Sequence, residues 1–280
     1  MRILDVEKIQ SSVKELCVRA NYYLSEDVMN AFNESIGREE SPIGREVISQ
    51  LIENAKIAKE EQMPICQDTG MVVVFVELGQ KVSLAGGPIS EAINQGVRDA
   101  YKEAYLRKSV VADPLIRENT KDNTPAIIYY DIVPGDKVKI TIAPKGFGSE
   151  NMSKIKMLKP SDGIDGVIDF VVDTVSQAGP NPCPPIVVGV GIGGTMDKSA
   201  VLAKKALTRS IGSKNEKDHL RELEKTLLEK INNLGIGPQG LGGNTTALSV
   251  HVEAFATHIA GLPVAVNINC HAARHEEVIL

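Results

Sequence analysis

The apolar segments of this 280-residue chain are short, rich in β-branched residues and bounded by proline and glycine, and no other feature limits its fold more. Residues 71–78 (MVVVFVEL), 125–134 (PAIIYYDIVP), 137–144 (KVKITIAP), 186–190 (IVVGV) and 262–269 (LPVAVNIN) read as strands. The second and third flank Pro134-Gly135-Asp136, which predicts a hairpin. Helical spacing separates these runs. Residues 5–24 place Ile9, Val13, Leu16, Cys17 and Ala20 on one stripe, and residues 27–36 form a short helix. Ser41 and Pro42 start a helix to about Gln62, with Ile43, Val47, Leu51 and Ala55 on one side. Further helices are expected over 88–106, 161–178, 196–209 and 217–234, the last with Gly235 just past its end. Residues 248–256 alternate, which puts His251 and Glu253 opposite Leu248, Val250 and Val252, on an exposed or interface face. No repeat or linker is visible. The expected fold is α+β (mixed α/β) in a single domain over 1–280: a helical segment 1–62, then a largely antiparallel sheet flanked by helices over 63–280.

Several function classes are excluded. A net charge of −5 without a run of one sign argues against nucleic acid, which demands a concentrated cationic face. The N-terminus lacks the apolar stretch of a secretion signal, and the most apolar segment, Pro185–Ile192, is far short of the roughly 20 residues that span a bilayer. A soluble cytoplasmic protein without a membrane partner is expected. With aromatics at 4% and no Trp, its core must be aliphatic.

Four cysteines do not make a disulfide scaffold, and three differ from the fourth. Cys17 lies on a helical apolar stripe and reads as a small buried side chain. Cys66 (PIC-QDTG), Cys183 (NPC-PP) and Cys270 (NINC-HAAR) each sit where a strand meets a loop built from Pro, Gly and small polar residues. Soft thiolates suit zinc, copper or iron–sulfur clusters. The absence of any CxxC pair argues against structural zinc. Three ligands on a four-iron cluster would leave one iron free to act as a Lewis acid. Burial as small hydrophobes is the alternative for all three.

Other signals are weaker. Gly189, Gly191 and Gly194 spell G-x-G-x-x-G between a strand and a helix, but no second strand with a terminal acid follows. Tight packing or an anion-facing backbone fits them better than a dinucleotide. The segment 144–159 carries Lys145, Lys154, Lys156 and Lys159, which read mostly as solvated, and a glycine turn whose N–H groups could hold a carboxylate. Arg107 could clamp a carboxylate, and Asp68 and His258 are candidate proton carriers.

Taken together, PICQDTG, YLRKS, KGFGSENMSK, NPCPPIVVGVGIGGTMDKSAVLAKKAL, GIGPQGLGGNTTALSVHVE and HIAGLPVAVNINCHAARH resemble the α subunit of the class I fumarate hydratases, over about residues 45–275. The resemblance implies a 4Fe-4S cluster on Cys66, Cys183 and Cys270. It implies a C4 dicarboxylate site lined by Gln67, Asp68, Arg107 and the glycine turn around Gly148, with His258 acting beside Asp68 in proton transfer. Gly146-Phe147-Gly148 departs from the commoner three-glycine turn, which weakens the contact expected from residue 147. The implied reaction is the fumarate–(S)-malate hydration of the tricarboxylic acid cycle. Tartrate dehydratase α subunits resemble the chain at CQDTG and CPP but differ at GSENMSK, GIGGTMDK and NINCHAAR, so fumarate is favoured, with tartrate or mesaconate as alternatives. An electron-transfer iron–sulfur protein or a noncatalytic regulatory subunit are the readings from other classes. The chain stops ten residues after Cys270. A separate β subunit is therefore expected to carry the rest of the active site in a hetero-oligomer.

Overall fold

The computed structural model describes residues 2–280. In chain order its elements are β1 (Arg2–Asp5), α1 (Val6–Tyr22), α2 (Glu26–Arg38), α3 (Pro42–Glu60), β2 (Met71–Gly79), β3 (Val82–Ala85), α4 (Ile89–Glu103), β4 (Ile127–Val133) and β5 (Val138–Lys145). Then follow α5 (Phe147–Glu150), β6 (Lys154–Leu158), α6 (Gly163–Ala178), β7 (Ile186–Gly193), α7 (Met196–Ala206), α8 (Asp218–Asn232), β8 (Ala247–Phe255), β9 (Leu262–Asn269) and β10 (Glu276–Ile279). The α+β expectation holds. Contacts divide the chain into two interleaved compact units. One comprises the residues up to Leu24, Ala55–Phe147 and Arg274–Leu280; the other comprises Ser25–Asn54 and Gly148–Ala273.

In the first unit the sheet order is β10-β5-β2-β4. Val72 to Val76 are all buried, and β2 holds the centre, parallel to β4 and antiparallel to β5. The expected hairpin of β4 and β5 does not form, because β2 lies between them. A strand buried on both faces must satisfy its polar groups along both edges, which a local turn signal cannot anticipate. The Pro134-Gly135-Asp136 turn instead arches over the end of β2, where Gly79 N–H donates to Lys137 O and Gln80 N–H to Val133 O, both at 2.9 Å. The amphipathic helices α1 and α4 bury Ile9, Val13, Leu16, Ile93 and Val97 with Val72, Val74, Ile140 and Ile142 of the sheet. Cys17 belongs to this core, and burial pushes its thiol up to about 12.

The second sheet has the order β6-β9-β7-β8. Strand β6 was not expected: Lys154 and Lys156 interrupt its apolar pattern, as suits an edge strand. Helices α6 and α8 supply Val167, Val171, Leu220, Leu223, Leu227 and Ile231 to a core with β7, β8 and β9. Gly189 and Gly191 lie inside β7, not in a turn. A Cβ at either would meet the Ala203 or Ser199 carbonyl of α7 at 2.1 or 2.0 Å. Their role is close helix–strand packing, as the sequence favoured. This approach also corrects the reading of β8. His251 pairs with Gly189 across the ladder and is 1% exposed, while Glu253 is half-buried and meets Arg209 at 3.4 Å. In α3 the buried positions include Ile48, Ile52, Ala55 and Ala58: Ala55 lies on the expected stripe, whereas Val47 and Leu51 are half-buried and Ile43 is exposed. Ser41 does cap it, accepting from Gly44 N–H.

Candidate functional site

In the first unit the loop entering β2 carries Cys66, Gln67 and Asp68, and buried polar groups fix it. The Tyr101 hydroxyl, on α4, lies 2.6 Å from Thr69 O and 3.1 Å from Gly70 O. Asn123 Nδ2 donates to Gly70 O at 3.2 Å, and Thr69 Oγ1 donates to Arg107 O at 3.0 Å. Burial raises the Tyr101 phenol well above its ordinary value, so it stays a neutral donor. Gly70 adopts φ +75°, and a Cβ there would strike Lys145 N at 2.7 Å. This tight turn aims Asp68: Oδ1 accepts from Gly70 N–H at 3.0 Å and Oδ2 from Phe147 N–H at 2.9 Å. Gly146 leaves room for that carboxylate, since a Cβ would stand 3.2 Å from Oδ2. Arg274, 4% exposed, ties the Asp68 carbonyl at 2.8 Å to Asn21 Oδ1 at 2.9 Å. The Cys66 Sγ lies 3.4 Å from Gln67 Oε1, and Gln67 and Arg107 are exposed. Of the lysines read as mostly solvated, Lys145 is buried.

In the second unit Cys183 precedes β7 and Cys270 follows β9. Because β9 runs antiparallel to β7 with Val187 opposite Asn269, both cysteines fall at one end of the sheet. The His271 N–H donates to Cys183 O at 3.2 Å. Gly148 sits beside the same loop, a Cβ there lying 3.7 Å from Asn181 O. His258 does not join them. It follows β8, which is parallel to β7, and so lies at the opposite end, an eight-residue strand or roughly 25 Å away. There it is exposed, and its Nδ1 accepts from Ala260 N–H at 3.2 Å.

Thus Cys66, Gln67 and Asp68 share one loop, and Cys183 and Cys270 share one sheet end with Gly148. None of the four cysteines is in a disulfide; Cys183 is exposed, Cys66 and Cys270 are half-buried, and Cys17 is buried. Among the described residues no three Cys, His, Asp or Glu side chains gather into a metal site. The cysteines belong to two different units. Sequence reasoning missed Arg274, Tyr101 and Gln239. Arg274 left one signal, a cation in the otherwise small-residue run Ala272-Ala273-Arg274; Tyr101 looked like any aromatic on a helical stripe.

Comparison with known proteins gives a consistent result. The family described as Fumarate hydratase (Fumerase) matches residues 10–279. A Methanocaldococcus jannaschii protein named "Putative L(+)-tartrate dehydratase subunit alpha" is 50% identical over 273 residues, covering 95% of each chain. The "L(+)-tartrate dehydratase subunit alpha" of Escherichia coli strain K12 is 34% identical over 279 residues, 98% of this chain and 91% of its own. That of strain UTI89 is 35% identical over 273 residues, 96% of this chain and 89% of its own. The chain belongs to the Fumarate hydratase (Fumerase) family.

Proposed function

We propose that this chain is the α subunit of an iron–sulfur-dependent hydro-lyase that interconverts fumarate and (S)-malate. Asp68 carries the reading: its carboxylate is fixed by two backbone N–H groups and its backbone carbonyl by buried Arg274, two residues from Cys66, in a family of hydratases. The donor chemistry fits the group that the resemblance implies. Cys66, Cys183 and Cys270 are thiols outside any disulfide that solvent reaches, at strand ends, whereas Cys17 is sealed in the core. These three cysteines would hold a 4Fe-4S cluster, which supplies Lewis-acid polarisation of the substrate hydroxyl.

The chain's own residues do the rest. Arg107 and the backbone N–H of Gly148 bind the carboxylates of the dianion, and Gln67 orients it beside Asp68. Asp68 takes the proton from the carbon next to the one bearing the hydroxyl in dehydration and returns it in hydration. No net oxidation occurs. His258, remote from Cys183 and Cys270 in its own sheet, enters this reading as a group delivered by a second copy of the chain. The relatives are named α subunits, which supports a β subunit that completes the active site. Among the described residues no helix is long and apolar enough to cross a membrane, in keeping with a cytoplasmic enzyme.

A second reading, dehydration of L(+)-tartrate, is favoured by the names of the relatives. The same residues would serve it, since tartrate is also a hydroxylated C4 dianion. Anaerobic reconstitution with iron and sulfide, addition of the β subunit, and assay with fumarate, mesaconate and tartrate separate the two. Malate formation from fumarate is the expected result. Turnover of tartrate alone would establish the second reading, and an iron-loaded complex inert toward all three would overturn the hydro-lyase assignment.

A further inference from the structure

Two residues without the freedom of glycine adopt left-handed backbone in the second unit: Cys183 at φ +56° and Gln239 at φ +52°. Such conformations persist only where their surroundings impose them, and they concentrate at functional positions. The surroundings of Gln239 are explicit. The loop that carries it is closed by Gly237 N–H on Thr246 Oγ1 at 3.1 Å and by Gly242 N–H on Ile236 O at 2.9 Å. It presses on the turn leading to Cys183, since a Cβ on Gly240 would lie 2.3 Å from Pro180 Cβ. So held, Gln239 donates twice to Pro184 O, from its backbone N–H at 2.7 Å and from Nε2 at 2.8 Å. Its Nε2 also stands 3.3 Å from His271 Nδ1, which is 3.2 Å from Cys183 O. One amide therefore bridges the residue after Cys183 and the residue after Cys270, while bonding to neither thiol.

We infer that Gln239, through His271 and the Pro184 carbonyl, is a positioning residue that fixes the spacing of Cys183 and Cys270 and so governs how firmly they retain an iron–sulfur group. This rests on the reading of those cysteines as ligands. Residues that orient ligands without binding the metal commonly change its retention by about 10–100-fold. A second compact group bridging the same two thiols would feel the same constraint.

The test uses the full chain with Gln239→Gly and Gln239→Glu. Glycine suits the left-handed turn, so Gln239→Gly should fold at least as well as the parent while lacking the amide. Glutamate keeps the size of the side chain and the backbone N–H bond to Pro184 O, but its carboxylate cannot replace the Nε2 donor. After anaerobic reconstitution, both variants should lose iron to a chelator about tenfold faster than the parent, with a shifted electron paramagnetic resonance signal of the oxidised cluster. A second arm omits iron: metal-free chains that also carry Cys66→Ser are loaded with phenylarsine oxide, which bridges neighbouring thiols, and its release is timed. Faster release from the Gln239 variants, with an undiminished melting temperature for Gln239→Gly, supports the inference. Parental rates in both arms would overturn it, as would parental retention by Gln239→Glu, since packing alone would then suffice. If the parent takes up no iron, the ligand reading fails and the arsenical arm alone decides the positioning role.

Discussion

The two four-stranded sheets are built to one scheme and carry different chemistry. In each, a central strand (β2 or β7) is followed in sequence by a parallel edge strand (β4 or β8) and then by an antiparallel strand on its other side (β5 or β9). A fourth strand pairs antiparallel with that one, β10 in the first unit and β6 in the second. This scheme brings the loop before the central strand and the loop after its antiparallel neighbour to one end. In the first unit that end presents mainly oxygen chemistry, Asp68 against the Gly146-Phe147 turn, with the single thiol of Cys66 on the same loop. In the second it presents sulfur, with Cys183 and Cys270 linked by His271. At the other end the two units also differ, with a plain Pro134-Gly135-Asp136 turn in one and His258 in the other. A shared arrangement of strands thus fixes where chemistry can sit and leaves its kind to the loop residues.

The largest expected effect tests the division between sulfur and oxygen. Cys66→Ser, Cys183→Ser and Cys270→Ser should each abolish retention of iron and sulfide after anaerobic reconstitution. Cys17→Ser should retain both and cost only about 1–3 kcal/mol for a hydroxyl buried in the α1 stripe. Iron loss confined to the Cys17 variant would break the comparison. Asp68→Asn should keep the cluster's colour and lower turnover by about two to four orders of magnitude, the usual range for general acid–base groups. His258→Asn should also impair turnover. Because His258 is remote from the thiol end of its own sheet, pooled Asp68→Asn and His258→Asn chains with β should regain activity by sharing sites. Turnover within twofold of the parent in His258→Asn would remove that residue from the chemistry.

Next in size is a packing contrast. Strand β2 fills its faces with side chains, Phe75 stacking on Tyr129 with ring centroids 5.3 Å apart, whereas β7 leaves gaps at Gly189 and Gly191 into which α7 settles. Gly191→Val would drive a branched side chain into the Ser199 carbonyl, and urea unfolding should show a loss of about 3 kcal/mol. A loss below about 0.5 kcal/mol, the usual range of a surface change, would mean that α7 is not seated as described.

Much of this was legible in the sequence, and the exceptions share a cause. Helices announced themselves through local periodicity, so α1, α4, α6 and α8 came within a few residues of their bounds. The cysteines separated correctly into one core residue and three at strand ends, because flanking Pro and Gly are local marks. Pairing is not local: the turn at Pro134 suggested that β4 meets β5, yet the burial of β2 on both faces placed it between them. His251 looked exposed by alternation, and only the glycines of β7 reveal that a helix covers that face. Arg274 and Gln239 act through partners 206 and 55 positions away, a range at which a single sequence is silent. The interleaved units leave no linker composition to read, since one boundary falls inside α3.

The smallest expected effect compares one polar latch in each unit. Arg274 joins Asp68 O and Asn21 Oδ1 in the first unit, a guanidinium on two amide oxygens. The second unit uses a buried carboxylate. Glu39 accepts from the N–H groups of Ser41 at 2.9 Å, Asn244 at 3.1 Å and Thr245 at 2.8 Å, tying the start of α3 to the loop before β8. Burial alone would raise this carboxyl, but the N–H groups outweigh it and hold it below its ordinary value near 4.5. A group whose pKa falls on folding stabilises the native state above its ordinary pKa, and that contribution disappears as pH drops through the lowered value. The melting temperature of Glu39→Gln should therefore lie furthest below the parent's near neutral pH and converge on it as the pH falls below about 4.5. Arg274→Met should show a deficit that stays constant over the same interval, because no carboxylate takes part in its latch. Parallel melting curves for parent and Glu39→Gln down to the acid limit would mean that the Glu39 carboxylate is not held by those N–H groups, and the two latches would then differ in nothing that pH can reveal.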